Sequence, residues 1–266
     1  MPRLAVVGNL SLDRGDGGPP RTGGAPVWAA RALRVLGERA LVGVKCAPED
    51  RRVLAPPLVA LGLPVLWLTG GTTAAFSFRY SGDRREMVVD AVGDPWSVED
   101  VSGLGDVRWV HVGPLASSDF PAETLAELAR GRRVSLDGQG LVRPARTGPL
   151  QLGGAADPGV LRHVSILKLA EEEAQALLGE ADEPSLRSLG VPEIVVTRGS
   201  QGSLVFADGG LTEIPAQRVP GSIDPTGAGD AFAAAYLVAR SSGHAPTAAA
   251  RRATALVTGL LAHRLR

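Results

Sequence analysis

Residues 4–44 run LAVVGNLSLDRGDGGPPRTGGAPVWAARALRVLGERALVGV. The apolar run Leu4–Val7 has the composition of a buried strand. Ala25–Leu36 then carries Val27, Ala30, Leu33 and Leu36 on one face at helical spacing, and Gly37 stops it. Ala40–Val44 returns to small and β-branched apolar residues. Strand, helix, strand in that order is a βαβ unit, whose two strands lie parallel. The alternation continues along the chain. Further strands are expected at Pro64–Leu68, Val107–Val112, Val134–Leu136, Val164–Leu167 and Ile194–Thr197, with helices between most of them. The fold class that follows is α/β: a doubly wound, mostly parallel sheet. A short strand after Gly210 and helices over Ala228–Arg240 and Thr247–Leu265, parted by Gly243 and Pro246, close the pattern.

Two stretches break the rhythm. In Thr73–Tyr80 (TAAFSFRY), Ala75, Ser77 and Arg79 alternate with Phe76, Phe78 and Tyr80, and Glu86–Val89 follows soon after. With Gly82-Asp83 between them they predict an antiparallel hairpin projecting from the main sheet. Its aromatic face either covers a site or packs on the domain. Gly15–Gly24 (GDGGPPRTGG) is expected to be a mobile loop, and Gly148–Pro158 an irregular connection.

The charge balance excludes several functions. Lys+Arg and Asp+Glu each number 28, so the formal charge is zero, which argues against a polybasic binder of nucleic acid or membrane surfaces. Hydrophobic residues at 44% and charged residues at 21% suit a folded core rather than disorder. Cys46 is the one cysteine, so neither an intramolecular disulfide nor a cysteine-based metal cluster can form, and the cytoplasm is the expected compartment. The opening MPRLAVVGNL predicts no cleaved leader, and no apolar stretch reaches the roughly 18 residues of a membrane span.

The chemistry concentrates in DPTGAGDAFAAAYL, residues 224–237, where two glycines and an aspartate open an alanine-rich helix. The N–H groups of Gly227, Ala228 and Gly229 can converge on an oxyanion there, aided by the helix dipole. Asp230 in the first turn is either a helix cap or a general base, and the glycine pattern alone favours capping. No G-x-x-x-x-G-K-S/T, dinucleotide fingerprint, H-E-x-x-H or G-x-S-x-G is present, and His111, His163, His244 and His263 are too scattered for a metal cluster.

These residues resemble the ribokinase-like (PfkB) carbohydrate and nucleoside kinases. DPTGAGDAF at 224–232 is similar to that family's C-terminal signature and GGAPVWAARALRVLG at 23–37 to its N-terminal one. GNLSLD at 8–13, LKLAEEEAQALLG at 167–179 and VVTRGSQGSLV at 195–205 stand in the family's order, so the resemblance spans almost the whole chain. It implies one kinase domain over 1–266, with a small β lid from about 10–24 and 73–90. It also implies phosphoryl transfer from ATP to a hydroxyl, with Asp230 as the base and Gly227, Ala228 and Gly229 as the anion hole. Asp13, Gly23 and Gly24 match positions that hold the acceptor. Asp224, Thr197, Gly199 and Gly202 match nucleotide-side positions, with Asp224 near a monovalent cation in some members. Ala253 and Thr254 match the adenine wall. Arg198 is either a phosphate contact or a solvated side chain. Mg²⁺ is implied on the donor phosphates, with Glu173 as its protein partner.

Three departures bear on the site: the first on the ordering of magnesium or phosphate, the second on the acceptor pocket, the third on the lid. Ala170 stands where the family has the Asn of Asn-x-x-Glu, Trp28 stands where many members have a polar Asn, and the segment from Asp13 to Gly23 is short, which leaves the hairpin as most of the lid. Trp28, together with LDGQGLVR at 136–143 and VHVGP at 110–114, is similar to a branch that includes plant inositol kinases; Arg143 is either a contact to an anionic or hydroxylated acceptor or a surface arginine, and the latter is the commoner role. The expected partners are a small sugar or inositol-like polyol and ATP, with no nucleic acid and no membrane, for a monomer or homodimer. A nucleoside kinase, with Trp28, Phe76, Phe78 and Tyr80 stacking on a base, is the alternative, as is a non-catalytic ligand-binding member of the fold.

Overall fold

Leu4 and Val6 face one side of their strand and Ala5 and Val7 the other, and all four are buried. A strand covered on both faces belongs in the middle of a sheet. The computed structural model, which describes residues 3–15, 18–81, 84–216 and 225–263, places it there.

In chain order the first elements are β1 (Leu4–Asn9), β2 (Ser11–Arg14), β3 (Arg21–Gly23), α1 (Ala25–Val35), β4 (Ala40–Cys46), α2 (Arg51–Val59) and β5 (Val65–Thr69). Next come β6 (Ala74–Ser81), β7 (Arg84–Ala91), α3 (Val98–Ser102), β8 (Trp109–Val112), α4 (Ala122–Leu128), β9 (Arg133–Asp137), α5 (Gln139–Val142) and β10 (Gly148–Pro149). The rest are α6 (Pro158–Leu161), β11 (Ile166–Ala170), α7 (Glu171–Leu178), α8 (Glu183–Ser188), β12 (Glu193–Thr197), β13 (Ser203–Ala207), β14 (Gly210–Ile214), α9 (Ala228–Ser241) and α10 (Pro246–His263).

The large sheet has the order β14-β13-β12-β11-β9-β8-β1-β4-β5. Seven of its strands run parallel, and β13 and β14 finish one edge as an antiparallel hairpin. Helices α1, α9 and α10 pack on one face through Ala29, Leu33, Ala234, Leu237 and Ala250. Helices α3 to α8 cover the other through residues such as Leu125, Leu128, Ala174 and Leu186. This is the doubly wound arrangement expected from the alternation. Strand bounds move by a few residues. The strand expected at Val164–Leu167 starts at Ile166, because Val164 and Ser165 close the preceding turn with bonds to Leu161 and Val134.

A second sheet has the order β10-β7-β6-β2-β3. The hairpin expected from TAAFSFRY is β6 and β7, antiparallel, with Phe78 opposite Met87. Gly82 and Asp83 of its turn, and the side chain of Tyr80, lie outside the described residues. Two expectations need correction. The segment expected to be a mobile loop carries β3, which pairs Ser11 with Gly23 and Asp13 with Arg21. The irregular connection after Gly148 supplies β10, paired to Val88 and Val89. The small sheet is thus five strands rather than little more than a hairpin. Backbone pairing with a neighbouring strand overrode what the Gly/Pro composition suggested locally. Of the aromatic face, Phe76 is buried with Ala74, Val89 and Leu115, and partly buried Phe78 packs against the same cluster and also lines an open cleft.

At the end of β12 far from Thr197, buried Glu193 accepts from Tyr236 Oη at 2.6 Å and from Arg240 Nε and Nη2 at 2.9 and 2.8 Å. This triad ties α9 to the sheet. Tyr236→Phe removes one hydrogen bond to a charged group but leaves Arg240 on Glu193, so the unfolding free energy falls by about 1–2 kcal/mol in urea titrations. Turnover is unchanged, because Tyr236 lies well along α9 from Asp230; a changed kcat would contradict a purely structural triad.

Candidate active site

Parallel strands deliver their C-terminal residues to one edge of the sheet, and α/β proteins build sites along that edge. Here β9 ends on Asp137, β11 carries Lys168 near its end, α7 begins with Glu173 in its first turn, and α9 begins beside Gly227 and Asp230. Lys168 Nζ is 3.2 Å from Asp137 Oδ2, with side chains 6% and 0% exposed. Glu173 Oε2 accepts from the Ala170 N–H at 2.8 Å, capping α7 where Ala170 itself has no side-chain acceptor.

Asp230 is part of this cluster. Its Oδ1 is buried and, among the described residues, has no hydrogen-bond partner. Burial pushes its carboxyl up to about 7, the Asp137 charge adds to the rise, and Lys168 and Arg143 oppose it. Lys168 is held charged, since Asp137, Glu173 and Asp230 together outweigh the burial that works against an ammonium. The same ammonium keeps Asp137 ionised in spite of burial. Burial raises Glu173, again against the pull of Lys168. Arg143 brings to the group a buried Nε that has no hydrogen-bond partner among the described residues, so it is no ordinary surface arginine. His111 on β8 pairs its Nδ1 with Ser135 Oγ at 3.2 Å, and burial lowers it to about 4, so it is neutral near pH 7.

The Gly227 turn has φ +77°, and α9 starts directly after it. Of the three N–H groups expected to face an anion, that of Ala228 donates to the Pro225 carbonyl at 2.9 Å and is not offered in this structure. A Cβ on Gly229 would come within 3.1 Å of Lys168 Nζ, so the ammonium abuts the helix start. A Cβ on Gly227 would overlap the Trp28 indole. Asp224 lies outside the described residues.

An open cleft of about 650 Å³ reaches this turn at Thr226 and is lined by Asp13, Arg21, Trp28, Arg31 and Phe78. That is ample for a small-molecule ligand. Asp13 Oδ1 accepts from Ser11 Oγ at 2.7 Å, and its carboxylate lies where a side chain on Gly23 would be, which explains the glycine. Gly24 caps α1 at φ +103°, within 2.5 Å of the Asn9 carbonyl were it given a Cβ. Asp13, Gly23, Trp28 and Phe78 therefore gather around one cleft or its wall. Arg143 lines a separate small pocket beneath the second sheet with Phe76, Leu115 and Asp119. Burial raises Asp119 to about 6.

The nucleotide-side expectations fare differently. Thr197 ends β12 and donates to the Leu169 carbonyl at 3.2 Å. Gly199 and Gly202 form the turn into β13, and Gly202 passes close to the Ile214 carbonyl. Arg198 is ion-paired with Glu213, neither solvated nor free. Ala253 is fully buried in the core with Ala249, Ala250 and Phe232. Thr254 beside it is partly exposed. Among the described residues no group of three or more His, Cys, Asp or Glu could hold a metal ion, and no helix is long and apolar enough to cross a membrane.

Lys168, Asp137 and His111 were not singled out from the sequence. The signal was present: a lysine inside ILKLA and an aspartate ending RVSLD put charge into strands otherwise apolar enough to be buried.

Comparison with known proteins agrees with this arrangement. The cytidine kinase of Thermococcus kodakarensis is 32% identical over 262 residues, covering 90% of this chain and 89% of the relative. A solved pyrophosphate-dependent kinase in the ribokinase family, complexed with a pyrophosphate analog and myo-inositol, superposes with a TM-score of 0.84 at 27% identity, over 97% of this chain and 94% of that one. The ribokinase of Arabidopsis thaliana, at 20% identity and a TM-score of 0.73 over 98% and 92% of the two chains, shares the fold. Residues 72–258 match the model of the pfkB family carbohydrate kinases, and this chain, with its ribokinase-like sheet and its cluster at the start of α9, belongs to that family of sugar and nucleoside kinases.

Proposed function

We propose that this chain transfers the terminal phosphoryl group of ATP to a hydroxyl of a sugar or cyclic, inositol-like polyol, working as one domain with the five-stranded sheet as its lid. The observation that carries this reading is the buried Oδ1 of Asp230, without a partner among the described residues, whose carboxyl is raised to about 7, beside the Gly227 turn and Lys168. A base poised near neutrality accepts the acceptor hydroxyl's proton as that oxygen attacks phosphorus, while donors at the helix start meet the phosphate oxygens. Asp13 beside Gly23 suits a polyol, because a carboxylate accepts from two neighbouring hydroxyls. Magnesium would neutralise the donor's phosphates; the residues present fit an ion that arrives on the donor and takes at most Glu173 from the protein, since Glu173 Oε2 is already bonded to Ala170.

Two observations favour variants of this reading. The likeness to a pyrophosphate-dependent inositol kinase supports pyrophosphate as the donor. The cytidine kinase relative, with Trp28 and Phe78 on the cleft, supports a nucleoside acceptor. One experiment separates them: transfer of label from ATP or pyrophosphate to a panel of inositols, pentoses, hexoses and nucleosides, with Asp230→Asn as control. We expect turnover with ATP and a polyol, lost in the control. Turnover with pyrophosphate alone, or with nucleosides alone, would replace the donor or the acceptor. Binding of donor and acceptor without any transfer would favour a non-catalytic member of the fold.

A further inference from the structure

We propose that Lys168, anchored by Asp137, is a catalytic cation of this chain, its ammonium meeting the non-bridging oxygens of the phosphoryl group as it passes beside Gly229. The inference rests on the kinase reading above and adds a residue to it.

Four observations carry it. A lysine on an interior strand with 6% of its side chain exposed has been drawn out of water, which is costly unless the charge is paired or used. Its partner Asp137 is itself wholly buried, and the two are paired across 3.2 Å between Lys168 Nζ and Asp137 Oδ2. An ammonium carries three hydrogens, and the pairing with Asp137 takes one of them. Its place is against the first turn of α9, where a single added carbon on Gly229 would approach Nζ to 3.1 Å. The cluster also holds more negative than positive charge, Asp137, Glu173 and Asp230 against Lys168 and Arg143, so an incoming phosphoryl group meets repulsion unless the cations face it. Ala170, at the start of α7 beside Lys168, offers only a methyl group.

In the transfer step the acceptor oxygen forms its bond to the terminal phosphorus and gives its proton to Asp230. The bond from phosphorus to the bridging oxygen breaks, and its electron pair leaves with the shortened donor. Lys168 keeps its proton throughout and neutralises charge spread over the three non-bridging oxygens. Asp137 is a positioning residue, acting through Lys168.

The test uses Lys168→Met, Lys168→Arg and Asp137→Asn in the full chain. Removing one preorganised electrostatic contact of this kind costs about 10²–10³-fold in kcat. We expect Lys168→Met to show that loss with the acceptor KM unchanged, Lys168→Arg to recover part of it, and Asp137→Asn to fall between. The pH profile supplies the readout that a purely structural lysine would not move. Asp230 faces Asp137, Lys168, Arg143 and Glu173, and of these Lys168 favours its carboxylate, so the acid limb of kcat/KM moves to higher pH in Lys168→Met. If Lys168→Met fails to fold, the double variant Lys168→Met/Asp137→Asn removes both charges and leaves no buried orphan. A folded Lys168→Met with kcat within about threefold of the parent, or with an unmoved limb, overturns the proposal while Asp230→Asn still tests the kinase reading. Should the parent turn over no donor and acceptor pair, calorimetry with imidodiphosphate decides: binding weakened at least tenfold by Lys168→Met supports the cation's role at the oxyanion, and equal binding overturns it.

Discussion

Asp230→Asn lowers kcat at pH 8 by about 10²–10⁴-fold, the usual contribution of a positioned base, and at the same pH raises the melting temperature. The two effects have one origin. In the folded chain the Asp230 carboxyl is raised to about 7, first by burial and then by Asp137, against the smaller pull of Lys168 and Arg143. An aspartate in the unfolded chain titrates near 4. The folded state thus binds the proton more tightly, and the stability this confers is complete below about pH 4 and is lost as pH rises through about 7. Asn carries no such charge and keeps the shape. The variant gains on the parent progressively between about pH 4 and 7, reaching a few kcal/mol, and the gain is constant above that. Asp119 is also raised, to about 6, but it is common to both proteins, so the difference between them isolates Asp230. Calorimetric melting at pH 5 and pH 8 beside kcat checks the pair of effects. A variant that is inactive and less stable at pH 8 would show Asp230 to be a structural cap; the parent's own kcat/KM should fall on the acid side with a midpoint near pH 7.

The fold was largely legible because burial on both faces writes strands as continuous Val, Leu and Ile runs and helices as one-sided stripes. Leu4–Val7, Ala25–Leu36 and Ala40–Val44 needed no tertiary information, and the structure keeps them within a few residues. What stayed hidden is what only pairing supplies. Arg21–Gly23 and Gly148–Pro149 have loop composition and become strands because β2 and β7 offer open edges to them. The site divides along the same line. Gly227, Gly229 and Asp230 are contiguous and their motif is local. Asp137, Arg143, Lys168 and Glu173 come from separate units and meet only where parallel strands end together, so spacing along the chain cannot announce them. Ala253 shows the converse: a small residue is equally suited to a ligand wall and to the α9–α10 packing, so its type along the chain does not choose between these roles.

Gly227→Ala costs about 10²-fold in kcat, and part of that cost disappears when Trp28 is truncated as well. Gly227 is demanded on two separate grounds. At φ +77° an alanine is strained by about 1–2 kcal/mol wherever it stands. Independently, its methyl carbon would overlap Cγ, Cδ2 and Cε3 of Trp28, and the indole is not free to retreat, because the Arg31 guanidinium stacks on it at 4.5 Å. The overlap must therefore push the turn itself, and a displaced turn misplaces Asp230, three residues on, relative to Lys168 and the cleft. Trp28→Ala removes the overlap but leaves the strain. In that background the further loss on Gly227→Ala should shrink to about 5–30-fold, the most that 1–2 kcal/mol of strain alone supports. Because Trp28 also lines the cleft, the cycle is read in kcat at saturating acceptor, so that a weakened acceptor KM in Trp28→Ala does not enter. A coupling of 0.5–3 kcal/mol between the two positions is the expected result. Strict additivity would mean that the indole yields and that backbone strain alone requires the glycine. A tryptophan between the cleft and the helix start then acts as a rigid spacer, transmitting the position of α1 to the turn that holds the reacting group.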